Sequence, residues 1–207
     1  MSLVINLLNP SIMQKSVKAL VLITISFVLA VSAIAQLKLP VVNGVVADLK
    51  KVVADYPEHF THLIGDMEAE HPQSTDYLCN FSFNGAEYSL FTIYSANQKN
   101  ISSFEAQMLT TESFDKAKQK FHALCNQLNN LVLTAGASGS FRLKGVYEAP
   151  VEEKKFASVI YSPEPAGPAV SKLKVEVSLQ ADNMEWKVKL LVYDREREDD
   201  EKGATKE

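Results

Sequence analysis

The most constraining feature of this chain is a helical stripe. Within residues 111–133, Phe114, Ala117, Phe121, Leu124, Cys125, Leu128, Leu131 and Val132 recur at steps of three and four, so they share one helix face. Lys116, Lys118, Lys120, Gln127 and Asn130 fall elsewhere and face water. Thr110 or Thr111 is placed to cap the first turn, Glu112 and Asp115 suit its positive end, and Gly136 follows the other end. So apolar a stripe must cover something, and strand-like segments flank it on both sides.

The rest of the 207 residues allow one domain or two small ones, and 46% hydrophobic residues suffice for a core. A formal charge of −4, with no basic stripe, argues against a nucleic-acid partner. The N-terminus reads as an export address. Lys15 and Lys18 precede the uncharged apolar run 19–31, and Ala33-Ile34-Ala35 offers the small-x-small pattern that signal peptidase reads. Residues 1–35 are expected to be a signal peptide cut after Ala35, with Met13 the true start and 1–12 an upstream extension. A retained anchor is the alternative, but the 17 residues 19–35 are at the short limit for a spanning helix. No cysteine stands directly after the run for lipid attachment. The expected mature chain, periplasmic or extracellular, keeps 19 basic and 25 acidic residues, a net −6, and meets the membrane only through the signal segment before cleavage.

In an oxidising compartment Cys79 and Cys125 become a candidate disulfide. Cys79 alternates with Tyr77, Phe81 and Phe83 toward a core, and Cys125 lies on the helical stripe. The bridge would close a loop of about 46 residues and add ~3–4 kcal/mol on the chain-entropy model. Two buried free thiols are the alternative.

In chain order, residues 41–56 predict a first helix, with Val42, Val45, Val46, Leu49, Val52 and Val53 as its stripe and Pro57 as its end. Strands are expected over 60–68, 75–83, 87–94 and 101–109, with Asn84-Gly85 a two-residue hairpin turn and 96–100 a further turn. After the central helix, strands are expected over 140–148, 155–162, 171–180 and 185–193. Residues 163–168, PEPAGP, are expected to stay outside any sheet. Leu173, Val175, Val177 and Leu179 share one face, as do Trp186, Val188, Leu190 and Val192. The tail 194–207 carries almost no apolar residues and is expected to be disordered.

The order is helix then four strands, twice: residues 36–110 and 111–193. Leu63-x-Gly65-x-x-Glu68-Ala69 echoes Leu143-x-Gly145-x-x-Glu148-Ala149 at an offset of 80 and places both glycines at equivalent strand positions. The expected class is α+β, two antiparallel four-stranded repeats with helices on one sheet face. In element order this resembles the tandem helix-plus-four-strand secreted proteins of β-lactamase-inhibitor-like and PepSY-like type. The resemblance implies a fold and carries no functional residue.

Catalytic patterns are sparse. His59, His62 and His71 lie among Asp66, Glu68 and Glu70, the one metal-capable cluster, but without the spacing of a zinc site. His122 reads as a helix-surface residue. Ser138 lies in a Gly-Ala-Ser-Gly loop that lacks the nucleophile-elbow order and follows a helix. Glu148, Glu152 and Glu153 stand among lysines as a solvated turn. No cofactor is expected. The strand 87–94 is apolar on both faces: Phe91 and Ile93 on one, Tyr88, Leu90 and Tyr94 on the other. If the first set packs inward, Tyr88, Leu90 and Tyr94 form an open patch that suits a protein or peptide partner. The expected function is an exported, non-enzymatic binding module. The alternatives are a carrier of a small apolar ligand held between sheet and helix, and a metal-dependent enzyme using the histidine region.

Overall fold

The computed structural model describes residues 42–95, 101–136 and 139–194, with the side chains of Val42 and Asn43 excepted. The expected signal segment, the upstream extension, the turn 96–100, Ser138 and the tail beyond Asp194 lie outside the described residues. The elements are α1 (Val42–Asp55), β1 (Ile64–Glu70), β2 (Ser74–Cys79), β3 (Tyr88–Tyr94), β4 (Ile101–Thr111), α2 (Phe114–Leu128), β5 (Val132–Thr134), β6 (Ser140–Lys144), β7 (Phe156–Glu164), β8 (Leu173–Asp182) and β9 (Glu185–Asp194). Short 3₁₀ turns occupy Tyr56–Glu58, Glu152–Lys154 and Pro168–Val170. Among the described residues no helix is long and apolar enough to cross a membrane.

The strands form one nine-stranded antiparallel sheet in the order β1-β2-β3-β4-β9-β8-β7-β6-β5. The fold is therefore α+β and antiparallel, but not a pair of helix-plus-four-strand repeats. The second half has five strands, because Val132–Thr134 forms β5 beyond β6. The two halves are also not separate sheets: β4 and β9 pair from Ser103 with Tyr193 to Thr111 with Trp186. The sequence echo has no structural counterpart in strand position. Gly65 is the second residue of β1, whereas Gly145 follows the last residue of β6, and 145–150 carry no regular structure. Each glycine is required by a close approach. A Cβ at Gly65 would stand 3.0 Å from the Leu78 carbonyl oxygen, and one at Gly145 would stand 2.7 Å from the Tyr161 ring.

Alternation along the strands assigns the faces. Phe91, Phe104, Val192, Val175 and Tyr161 lie directly opposite one another across five strands, all fully or almost fully buried. Both helices pack on this face. From α1, Val45, Leu49, Val52 and Val53 enter the core, and from α2, Ala117, Phe121, Leu124, Cys125 and Leu128. Each large apolar side chain so buried contributes roughly 1.5–3 kcal/mol. The rings of Phe60, Phe91, Phe104 and Phe83 form a continuous row with centroids 5.2–5.3 Å apart. Such pairs add about 0.5–1.5 kcal/mol beyond their buried area.

Several boundaries differ from expectation for identifiable reasons. The central helix is shorter. β4 continues through Thr110 and Thr111, so Ser113 is the cap, its hydroxyl accepting from the Lys116 amide. At the other end Asn129 is extended and Asn130 has φ +63, which stops the helix before Leu131. Pro163 lies inside β7, opposite Leu143. It is tolerated because Leu143 uses its amide and carbonyl on the other side, with the Leu131 carbonyl and the Asn130 amide, both at 3.0 Å. No ladder bond at that pair needs a proline N–H.

The Asn84-Gly85 hairpin is also wider than two residues, since β2 ends at Cys79 and β3 begins at Tyr88. The cause lies in α1. The nearly buried Asp48 carboxylate accepts from the Asn84 backbone amide at 2.9 Å and from its side-chain amide at 2.5 Å. Gly44 makes room, because a Cβ there would meet Asn84 at 2.8 Å. Lys51 pairs with Asp48 at 2.9 Å and lies 5.3 Å from the centre of the Phe81 ring. The loop is held by the helix rather than by its own turn.

Candidate functional site

The face turned away from the helices carries the expected patch. Leu78 of β2 pairs with Leu90 of β3, which pairs with Glu105 of β4, which pairs with Leu191 of β9. In the next row Tyr88 pairs with Gln107, and Gln107 with Lys189. Tyr88 is 50% exposed and Leu78 44%. Leu90 is half-buried between Leu78 and Glu105. Tyr94 shares this face but lies further along β3, half-buried, opposite Ser74 and Ile101. The structure therefore brings Tyr88 and Leu90 together and adds Leu78, while Tyr94 stands apart. Leu78 is open on its outer flank because the edge strand offers little there. Register pairs Ile64 with Cys79 and Met67 with Tyr77, leaving Gly65 and the bulge residue Asp66 against Leu78.

Beside this patch the loop 80–87 forms a shallow groove of about 270 Å³, lined by Leu78, Phe81, Phe83, Ala86 and Tyr88 among others. Glu87 at its rim is fixed by α2's neighbour strand: its carboxylate accepts from the Thr110 amide at 2.8 Å and the Thr110 hydroxyl at 2.6 Å. Lys120 of α2 is half-buried nearby, and that burial lowers its pKa against the opposing pull of Glu87.

Toward β7–β9 the same face is mixed: Phe156 and Ile160 of β7 are 52% and 41% exposed there, opposite Gln180 and Glu176, among polar groups that bond to one another. Lys189 pairs with Glu105 at 2.8 Å, Tyr193 donates to Glu176 at 2.8 Å, and Lys174 donates to Ser162 at 2.7 Å. Apolar surface is therefore present on both halves of this face, and what sets the β2–β3 patch apart is that Leu78 and Leu90 are direct cross-strand partners with a groove beside them.

The sheet edges are poorly suited to adding a strand. β1 is interrupted by two register shifts and presents Asp66, Glu68 and Glu70 to solvent. At the other edge β5 is only three residues long. Short, bulged or charged edges resist pairing with another chain. Among the described residues neither edge offers a long, regular row of backbone groups for pairing.

The three candidate metal histidines do not converge. His62 Nδ1 lies 2.6 Å from Asp55, whose hydrogen bond and charge raise the imidazole pKa. His71 Nε2 lies 3.2 Å from Asp76, across the sheet edge. His59 follows the 3₁₀ turn with φ +54. Among the described residues no group of three His, Cys, Asp or Glu side chains is placed to hold a metal ion. His122 is exposed on α2 and meets the Tyr147 ring edge-on at 5.2 Å.

Of the two alternatives for the candidate disulfide, the structure has the second: Cys79 and Cys125 are both free thiols. Cys125 lies over β7, where Tyr161 donates its hydroxyl to the Cys125 carbonyl at 3.0 Å. Cys79 lies on β2, five strands away in the sheet. At about 4.8 Å per strand that is roughly 24 Å, against the ~4.4–6.8 Å between Cα atoms that a bridge needs. Burial pushes the Cys125 thiol up to about 11, and burial likewise raises Cys79.

A larger cleft of about 540 Å³ opens elsewhere, between the 3₁₀ turn and the Pro168–Val170 turn, with Tyr56, His59, Ser102, Lys172 and Asp194 in its wall. Its hydroxyls are engaged: Tyr56 donates to Asp194 at 3.3 Å and Ser102 to the His59 carbonyl at 3.4 Å. Tyr56 thus faces a carboxylate and Ser102 only a backbone carbonyl, and the described residues place no base beside the Ser102 hydroxyl. The layer between sheet and helices, where a small apolar ligand would sit, is occupied by contiguous core side chains. Comparisons with family models, with curated proteins and with solved structures find no match to this chain.

Proposed function

We propose that the chain is an exported, non-enzymatic binding module that holds a protein or peptide on the open face of β2 and β3. The observation that carries this reading is the Leu78–Leu90 pair flanked by Tyr88, apolar and solvent-facing on the side opposite both helices. Burying such a cluster against a partner yields roughly 25 cal/mol per Å² of apolar surface, and aromatic anchors of this type dominate interface energies. Export is supported by Lys15 and Lys18, the apolar run that follows, and Ala33-Ile34-Ala35.

The test is a comparison of the proteins retained by immobilised wild type and by a Leu78→Ser/Tyr88→Ser double variant. Both side chains are at least 44% exposed, so thermal stability stays within about 0.5 kcal/mol of wild type. A ligand retained by wild type and lost by the variant supports the reading. Identical retention refutes it.

A further inference from the structure

Charge around the patch narrows the class of partner. Residues 42–95, which contain β1 to β3 and α1, hold two lysines against eight acids, a net −6. Residues 101–194 hold eleven basic and eleven acidic residues, a net of zero. The acidity is therefore concentrated in the part of the fold that carries the apolar face. Much of it is uncompensated. Asp66, Glu68 and Glu70 on the edge strand are exposed and, among the described residues, have no ion-pair partner. The cations nearest the patch stand toward the groove and β9 and each faces an acid: Lys51, over Phe81, pairs with Asp48, Lys120 lies near Glu87, Lys187 pairs with Asp182 and Lys189 with Glu105.

Leu78 lies next to this acidic edge, since Asp66 belongs to the bulge opposite it, while Glu70, which pairs with Thr75, leans toward the helix side and adds to the field of the edge rather than to the face itself. Crossing the sheet from β1, a partner meets the acidic edge, then Leu78, then Leu90 and Tyr88 with the groove of Phe81 and Phe83 beside them. Fields from clustered charges of one sign raise the local concentration of opposite charges and repel like ones. An acidic peptide, a nucleic acid and an anionic bilayer are all disfavoured here.

We propose that the occupant of this face is a cationic, apolar peptide segment, whose lysines or arginines lie along the acidic edge of β1 and whose apolar side chains cover Leu78, Leu90 and Tyr88 and enter the adjoining groove. This inference rests on the binding-face reading above and adds the chemistry of the partner. Its geometry is a strip crossing strands, apolar at the centre and acidic on one flank, so a peptide with basic residues at one end and leucine or aromatic residues at the other fits it.

The experiment uses purified protein and three fluorescein-labelled synthetic peptides. One combines lysines with leucines, the second replaces each lysine by glutamate, and the third replaces each leucine by serine. Fluorescence anisotropy is read for wild type, for Asp66→Asn/Glu68→Gln/Glu70→Gln and for Leu78→Ser/Tyr88→Ser. Only the lysine–leucine peptide is expected to bind wild type. Neutralising the three acids weakens it about tenfold, and raising salt from about 0.05 M to about 0.3 M does the same by shortening the screening length. The Leu78→Ser/Tyr88→Ser variant weakens it by a comparable factor. Equal binding of the glutamate peptide, through contacts that Leu78→Ser/Tyr88→Ser abolishes, overturns the charge inference and leaves the face intact. Binding that Leu78→Ser/Tyr88→Ser does not weaken, or no binding of any peptide, overturns the inference together with its premise. The acid-to-amide variant changes exposed side chains only, and an unaltered melting curve confirms that it folds.

Discussion

The contact between Asp48 and Asn84 offers a sharp test of how the groove is held. Asp48 is 2% exposed and accepts two hydrogen bonds from one loop residue. Hydrogen bonds to a charged group contribute about 1.5–3 kcal/mol each, whereas the exposed Lys51 ammonium adds little. Asp48→Ala is therefore expected to lose about 3 kcal/mol, and Asn84→Ala, which keeps the backbone amide, about half of that. For a fold of this size 3 kcal/mol lowers the melting temperature by roughly 6–12 °C. The contribution also depends on pH. Burial by itself raises the Asp48 pKa, but the bonds from Asn84 and Lys51 outweigh it and the net shift is downward. A carboxyl lowered in the folded state stabilises above its unfolded value near 4, and that stability is lost as pH falls through the folded value. The gap between wild type and Asp48→Ala should then be full at pH 7 and shrink in acid. The assay is thermal and urea denaturation of wild type, both single variants and the double variant from about pH 7 to about pH 3. The double variant should cost no more than Asp48→Ala alone. A melting temperature within about 2 °C of wild type, or a pH-independent gap, refutes the reasoning.

Two further predictions concern the turn between β8 and β9 and the thiols. Asn183 and Met184 both have positive φ, +49 and +71, and Met184 is 94% exposed, so Met184→Gly should raise stability by about 0.5–1 kcal/mol in urea denaturation by creating the Asn-Gly pair this turn prefers. Thiol titration of the chain in denaturant without reductant should give two free thiols, and in native buffer at about pH 8 Cys125 should react far more slowly than a free cysteine, because burial keeps it protonated; one bridge per chain would contradict the structure.

Much of the second half was legible because burial on one face writes alternation into the strands. Leu173 to Leu179 and Trp186 to Val192 are inward as read. The stripe of α2 was legible for the same reason at the helical period, but its end was not. Leu131 and Val132 extend the apolar spacing while Asn129-Asn130 break the backbone. The signal was present in those two asparagines. The repeat failed because local pattern does not say which strands meet, and the β4–β9 pairing that fuses the halves is long-range. The site shows the same limit at a finer scale. A two-residue turn at Asn84-Gly85 would pair Phe83 with Ala86, and hence Leu78 with Phe91. The structure pairs Leu78 with Leu90. That single-residue slip decides which residue Leu78 meets, and it goes with a loop whose Asn84 is held by Asp48, 36 residues earlier. Alternation alone put Tyr88, Leu90 and Leu78 outward; that Leu78 meets Leu90 could not be read.

The central claim is that the β2–β3 face, and not the larger cleft, receives the partner. Amide chemical-shift mapping on titration with the lysine–leucine peptide tests it most directly. Perturbations are predicted to cluster at Asp66, Leu78, Tyr88 and Leu90, and to vanish with Leu78→Ser/Tyr88→Ser. Perturbations centred on Tyr56, His59 and Ser102, or shifts unchanged by that variant, would contradict it.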